Sequence, residues 1–167
     1  MNRLLDLLKT RRSIRRYKDK SIPKGKLKEI IDAARFAPTA RNLQPWEFVV
    51  VTDKSKLSLL AQLADNGKFI AQASACIVVF SADTKYFLED GSAATCNILL
   101  AASALGVGSC WVAGDKKKYS LQVGALLNQP EGLKLISLVA LGYPESKSAF
   151  KTMPKRPLRE ILHWEIF

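Results

Sequence analysis

Histidine occurs once in this sequence, as His163, and cysteine three times. A single histidine leaves too little material for a histidine-based metal site or a Ser-His-Asp triad, both of which need further partners. Cys76, Cys96 and Cys110 are odd in number, widely spaced and set in apolar surroundings. That pattern argues against a disulfide framework and a zinc site, and it fits a reducing, cytoplasmic compartment. Long apolar runs are also missing. The most apolar helical stretch, residues 92 to 105, is interrupted by Ser92, Thr95, Asn97 and Ser103, so it reads as a buried helix and not as a membrane span. The opening Met1-Asn2-Arg3-Leu4-Leu5-Asp6 sets an acid inside its leucine cluster and lacks a small-residue cleavage site, so no signal peptide is expected.

Acidic residues are scarce: 15 Asp and Glu oppose 26 Lys and Arg, for a formal net charge of +11. Much of the excess lies in the first 28 residues, where the basic residues from Arg3 to Lys28 face only Asp6 and Asp19. Such a bias implies an anionic partner, whether nucleic acid, a phosphorylated cofactor or an acidic protein, unless it is merely a solvated face. The remainder is ordinary for a globular chain, with 48% hydrophobic and 25% charged residues. At 167 residues, one domain spanning 1–167 with its own core is expected.

Periodicity divides the chain into alternating elements. Residues 2 to 9 form a short helix with Leu4, Leu5 and Leu8 on one face, followed by a basic, irregular segment over 10 to 22. Pro23 opens a second helix, in which Leu27, Ile30, Ile31 and Ala34 keep the spacing of a buried stripe, and Pro38 ends this region. Residues 38 to 45 read as a loop, 46 to 52 as a strand and 54 to 64 as a helix. The run Cys76-Ile77-Val78-Val79-Phe80 does not alternate with polar residues, so the strand 75 to 82 is expected to be buried on both faces. A central helix over 89 to 105 stops at Gly106, and a strand (108 to 113), a helix (116 to 127) and a strand (134 to 141) follow. The basic tail closes with one or two helical turns near residues 157 to 162. Periodicity alone reaches an α/β or α+β domain of four strands.

Three segments have the chemistry to meet a phosphate or a flat heterocycle. In Arg11-Arg12-Ser13-Ile14-Arg15, crowded guanidiniums repel unless an anion sits among them, and each offers parallel donors to phosphate oxygens. A nucleic-acid arm or a solvated loop would have the same composition. In the loop from Pro38 to Trp46, prolines restrict both ends while Thr39, Asn42 and Gln44 supply groups that read a donor/acceptor edge. A plain turn in which Asn42 caps its own backbone is the alternative. In Leu105-Gly106-Val107-Gly108-Ser109-Cys110-Trp111, two glycines permit close approach of the backbone to a ligand. The helix-to-strand order is the reverse of a dinucleotide fingerprint, and Cys110, without a nearby histidine, reads as a packed thiol.

Taken in order, these motifs resemble those of the nitroreductase-like flavoprotein family. They are Arg-Arg-Ser-x-Arg at 11–15, Pro-Thr-x-x-Asn-x-Gln-Pro-Trp at 38–46, Ala-Leu-Gly-x-Gly-Ser-x-Trp at 104–111, Gly-Tyr-Pro at 142–144, and a basic tail leading to Pro157-Leu158-Arg159-Glu160-Ile161. The likeness spans nearly the whole chain. It implies an α+β sandwich, with a central, mostly antiparallel sheet flanked by helices and a C-terminal tail exchanged in a homodimer. Two FMN molecules would lie at the subunit interface. Arg11, Arg12 and Ser13 would hold the phosphate and ribityl chain, and Arg15 would lie by flavin N1 and the C2 carbonyl. Pro38, Thr39 and Asn42 would come from the other subunit, and the backbone around Gly108, Ser109 and Cys110 would line the ring. Lys155 and Arg156 would close on the phosphate; they are adjacent here, whereas relatives often place one residue between them. Asn66 is a further candidate for a ring contact.

The activity implied is ping-pong transfer of electrons from NADH or NADPH, through FMN, to a nitroaromatic, quinone or enone acceptor. Such a scheme needs no side-chain acid or base, and no metal, nucleic acid or membrane is expected to take part. At this length the chain would be a minimal member, without the insertion that often shapes the substrate pocket. A basic nucleic-acid-binding module would explain the charge, but single-strand binders interleave aromatic residues with basic ones, and Tyr17 is the sole aromatic among the first 28 residues. A flavin-binding protein without turnover is a third reading.

Overall fold

The structure, a computed structural model, describes residues 3–146 and 154–167. The basic, amphipathic N-terminus forms α1 (Arg3–Thr10). Next comes α2 (Lys24–Ala34), with Pro23 just outside it in extended geometry, so the proline supplies the cap and not the first turn. The remaining elements are β1 (Trp46–Val51), α3 (Lys54–Leu63), β2 (Ala75–Ala82), α4 (Phe87–Ala104), β3 (Gly108–Ala113), α5 (Ser120–Leu126) and β4 (Leu133–Gly142). Short 3₁₀ turns occupy Ala40–Asn42, Lys68–Gln72 and Leu158–Glu160. Asp53 caps α3, its carboxylate accepting from the Lys56 N–H at 2.9 Å. Gly106, at φ +71°, takes the left-handed position that ends α4, as its sequence context predicts.

One expected helix is shorter than its sequence suggests. The chain turns over residues 115–118, with Lys116 left-handed at φ +57°, and α5 begins only at Ser120. The Tyr119 hydroxyl donates to the Ala113 carbonyl and closes that turn. Local bonding thus overrides a lysine run that by propensity alone would be helical.

The strands make one antiparallel sheet in the order β1-β2-β4-β3. Both faces are covered, and the reason is visible in β2. Cys76, Val78 and Phe80 point into a cluster with Leu57 and Leu60 of α3 and Val123 of α5. Ala75, Ile77 and Val79 point the other way, into a cluster with Ile30 of α2 and Ile98 of α4. A strand read at period two thus feeds two cores, and its unbroken apolar run is the consequence. Helix α4 lies close over β4 because Gly91 has no side chain: a Cβ there would stand 2.7 Å from Cγ1 of Ile136. Inside this contact the Thr95 hydroxyl reaches the Gly91 carbonyl at 2.7 Å and Ser137 at 2.8 Å, so both buried hydroxyls have partners.

Cys76 lies wholly inside the first of these cores, and burial pushes its thiol up to about 12. In the unfolded chain the thiol ionises near pH 8.5, so the unfolded state binds fewer protons between that pH and about 12. Stability is therefore fully present below this window and falls as pH rises through it, by up to about 1.4 kcal/mol per pH unit for one such group. Urea unfolding at pH 8, 9 and 10 should show a steeper alkaline loss for the wild type than for Cys76→Ala. Parallel slopes would mean that the thiol ionises freely in the folded protein.

Candidate functional site

The segment after α1 is held against the sheet by main-chain bonds. Ile14 N–H donates to the Ser109 carbonyl at 2.9 Å, and Ser13 and Ser109 form a parallel bridge. Tyr17 forms an antiparallel bridge with Pro144, flanked by Lys18 N–H to Tyr143 O at 2.8 Å. Along this segment Ile14 and Tyr17 are buried, while Ser13, Arg15 and Arg16 are exposed. The Tyr17 hydroxyl donates to the Ile14 carbonyl and ties the strip to itself. Arg12 folds back to the end of α1, its Nη1 donating to the carbonyls of Lys9 at 2.8 Å and Arg11 at 2.7 Å.

Beside this strip lies a cavity of about 430 Å³. Arg15 and Asn66 line it, as do Phe69, the Cys110–Ala113 stretch of β3, Lys117 and Tyr119, and no carboxylate does. The Arg15 guanidinium stands 5.8 Å from the centre of the Phe69 ring. Two cations, one amide and a floor of ring and aliphatic surface fit a planar heterocycle that carries oxygens on one edge. Of the expected ring contacts, Arg15, Asn66 and Cys110 meet here. Phe69, Lys117 and Tyr119 were not foreseen. The 3₁₀ turn brings Phe69 in, and a β-bulge brings in Lys117: the register shifts opposite Val79 and Phe80, and the Ile136 carbonyl there accepts Gly114 N–H at 3.0 Å and Asp115 N–H at 3.3 Å. Only the bare run Lys116-Lys117-Lys118 hinted at the latter in the sequence.

Cys110 is a neutral packed thiol. Burial pushes its pKa up, against the opposing pull of Arg15, Ser13 and Arg11, which nevertheless places all three close to it. Gly108, expected to admit a ligand, serves the chain itself: a Cβ there would stand 2.9 Å from Cβ of Ile14. Ser109 likewise spends its carbonyl on Ile14 and its neighbours on the sheet.

The second expected segment, Pro38 to Trp46, lies elsewhere. Arg41, Asn42 and Gln44 have φ of 54°, 57° and 50°, each costing roughly 1–3 kcal/mol, with asparagine at the low end. Asp90, buried at 5% exposure in the first turn of α4, holds this backbone. Its Oδ2 accepts from Thr39 Oγ1 at 2.8 Å and its Oδ1 from Ala40 N–H at 3.1 Å. Thr39 Oγ1 in turn accepts from Gln44 N–H at 3.2 Å. Thr39, expected to touch the cofactor, therefore faces inward. The exposed side chains are Pro38, Arg41, Asn42, Leu43 and Gln44, with Gln44 Nε2 donating to Asn42 Oδ1 at 3.1 Å. Asp90 carried no motif in the sequence, where an acid near a helix start reads only as a favourable dipole contact.

The two segments sit at opposite edges of the sheet. The loop feeds β1, whereas the arginine strip lies on β3, three strand spacings or about 14 Å away. Within one chain the structure does not bring them together. In the tail, Lys155 and Arg156 are exposed, and Arg156 is engaged with Glu160 at 3.7 Å. Residues 147–153, part of the expected basic tail, lie outside the described residues. Among the described residues no group of His, Cys, Asp and Glu could hold a metal ion, and no helix is long and apolar enough to cross a membrane.

Known proteins share the chain's sequence and fold. The model of the "Nitroreductase family" matches residues 8–77, and that of "Putative TM nitroreductase" matches residues 62–166. The chain is 38% identical to a "Putative NADH dehydrogenase/NAD(P)H nitroreductase" of Archaeoglobus fulgidus, over 99% of this chain and 99% of the relative. Among solved structures it is similar to an "FMN-dependent Nitroreductase" from Clostridium difficile, with 32% identity, 98% and 99% of the two chains covered and a TM-score of 0.90. It is also similar to a "putative nitroreductase in complex with fmn" from Desulfovibrio desulfuricans, with 30% identity, 100% and 99% covered and a TM-score of 0.84.

Glycine substitutions test how the arginine strip is seated. A Cβ at Gly142 would stand 2.6 Å from Cδ1 of Tyr17, inside a packed contact. Gly142→Ala should cost roughly 1–3 kcal/mol, as overpacking does. It should also expose the Ile14 amide to hydrogen exchange. Gly25→Ala, where a Cβ would meet nothing within 4 Å, should instead leave stability unchanged or raise it by up to about 1 kcal/mol. Equal effects of the two substitutions would show that the strip is not packed as described.

Proposed function

The chain belongs to the nitroreductase family and is an FMN-dependent oxidoreductase, and we propose that it carries electrons from NADH or NADPH to a nitroaromatic, quinone or enone acceptor in a ping-pong cycle. The cavity beside β3, lined by Arg15, Asn66 and Lys117 together with the Phe69 and Tyr119 rings and by no carboxylate, carries this reading. FMN, when bound, supplies the hydride and electron transfer. The chain supplies position and field. Arg11, Arg12 and Ser13 would hold the phosphate end, Arg15 and Asn66 the polar edge of the ring, and the backbone from Gly108 through Ser109 to Cys110 its flank. For Arg12 this means turning from the end of α1, where it now donates to main-chain carbonyls. Three free cysteines fit a reducing cytoplasm as the place of work.

We further propose that the working form is a homodimer in which each site draws on both chains. Opposite-edge placement of the arginine strip and the Pro38–Trp46 loop supports this, since the strip of one chain and the loop of a second could then flank one ligand. The tail points the same way: Trp164, Ile166 and Phe167 are exposed at 78%, 81% and 104%, an apolar surface that a soluble monomer would rarely leave uncovered. A groove of about 490 Å³ between α2 and the free edge of β1 offers matching cover. Leu27, Ile31 and Val50 give it apolar surface to cover such a tail, beside Lys24, Lys28 and the Arg35–Asp32 ion pair. In that assembly Lys155 and Arg156 would close on the phosphate, and Pro38, Thr39 and Asn42 would belong to the neighbouring subunit's site.

Arg15 is the residue that would tune the chemistry. A guanidinium at N1 and the C2 carbonyl favours the reduced, negatively charged cofactor over the neutral oxidised one, and a hydrogen bond to a charged group is worth roughly 1.5–3 kcal/mol. For a two-electron couple ~30 mV corresponds to about 1.4 kcal/mol, so Arg15→Ala should lower the potential by roughly 30–65 mV, toward the low end because Arg15 is exposed in the single chain. Arg12→Ala should weaken FMN binding in both redox states with little change in potential. Anaerobic redox titration of the two FMN-loaded variants is the check, and an unmoved potential in Arg15→Ala would reverse the assignment. Riboflavin, lacking the phosphate, should bind more weakly than FMN in calorimetry.

The dimer is tested by removing its tail. A chain ending at Glu145 should lose FMN and dissociate together in light scattering, because both losses trace to one interface. A full-length, FMN-loaded protein that is monomeric at micromolar concentration would dispose of the shared site.

A further inference from the structure

Among the described residues Asp90 is the one buried carboxylate, and nothing in the proposed electron transfer uses it. It lies in the first turn of α4, outside the lining of the cavity, and both of its oxygens face the Pro38–Trp46 loop. A buried carboxylate is tolerated only where hydrogen bonds replace water, and here both bonds come from residues 39 and 40. The chain continues from Asp90 through the Thr39 hydroxyl to the Gln44 amide, so one acid fixes both ends of the segment containing Arg41, Asn42 and Gln44. Left-handed backbone at three non-glycine residues persists only where the surroundings over-determine it. On the far side of this strained segment the Arg41, Asn42 and Gln44 side chains are exposed beside Pro38 and Leu43, and Gln44 donates to Asn42.

We propose that Asp90 is a positioning residue for cofactor binding: through Thr39 it latches the loop into the one conformation that presents Asn42 and Gln44 outward, to the FMN held on the partner's arginine strip. This rests on the reading of the protein as an FMN-dependent homodimer. It also revises the part played by Thr39, which becomes the link in the latch and not a contact to the cofactor. A core residue with no such duty would be replaceable by any group that preserves packing. A latch requires the acceptor on Asp90 and the donor on Thr39.

The prediction follows from population. If release of the latch leaves the loop in its binding conformation a tenth of the time, the apparent Kd for FMN rises about tenfold. Asp90→Asn keeps the shape but turns one acceptor into a donor, and Thr39→Val keeps the shape but removes the hydroxyl. Both should weaken FMN binding about tenfold by fluorescence titration, with faster hydrogen exchange confined to residues 38–46. Thr39→Ser, which keeps the hydroxyl, should bind as the wild type does. Melting of the cofactor-free proteins controls for damage to the fold, and the Thr39→Val and Thr39→Ser pair, altered outside the core, keeps the test sound should Asp90→Asn fold poorly. If both Asp90→Asn and Thr39→Val bind FMN as the wild type does while Arg12→Ala loses it, the latch is refuted and the FMN reading stands. If the wild type itself takes up no FMN, the FMN reading falls first and the latch with it.

Discussion

The hydrogen bond from Ile14 N–H to the Ser109 carbonyl organises the functional end of this molecule. It sets the register of a short extended strip on the edge of the sheet. Because side chains alternate in such a strip, fixing Ile14 inward fixes Ser13 and Arg15 outward, beside β3. A slip of one residue would bury Arg15 and expose Ile14. Two glycines guard that register: Gly108 leaves room for Ile14, and Gly142 leaves room for the Tyr17 ring. The Tyr17 hydroxyl then returns to the Ile14 carbonyl, so the strip is locked by a bond, two contacts and an aromatic anchor within four residues.

Around this strip the sheet acts as a ruler. Its order, β1-β2-β4-β3, puts the arginine strip at one edge and the Pro38–Trp46 loop at the other. Helix α4 spans the interval, seated close by Gly91 over Ile136, and its first turn delivers Asp90 to the loop. The positions of the two candidate surfaces are thus properties of one rigid body. The bulge at Ile136 does the same for the turn carrying Lys117, whose approach to the cavity depends on a single extra residue in β4.

Much of this was legible in the linear sequence, for identifiable reasons. The unbroken apolar run of β2 announced a strand covered on both faces, and the low polarity of residues 92 to 105 announced a central helix, because burial on all sides leaves no polar face to alternate. Arg11, Ser13, Arg15 and Cys110 were named from two motifs, at 11–15 and 104–111, which the bridge between Ser13 and Ser109 brings side by side. Asn66 was found through a short likeness. Phe69, Lys117 and Tyr119 were not, since they reach the cavity from turns whose geometry is set by contacts far away in sequence.

Composition and periodicity by themselves determined an α/β or α+β arrangement of four strands, one of them covered on both faces, with a strongly basic N-terminal segment, because these depend on each residue's own hydrophobicity and charge. Tertiary structure alone decided what the polar residues do with each other. Thr39 carries the same hydroxyl whether it meets a cofactor or a carboxylate, and only the packing of α4 against the loop places Asp90 2.8 Å from it. Arg12 can clasp a phosphate or cap a helix, and here the end of α1 stands within its reach. A hydrogen-bonding group does not specify its partner, whereas an apolar side chain requires only to be covered, and that difference separates what the sequence determined from what the fold decided.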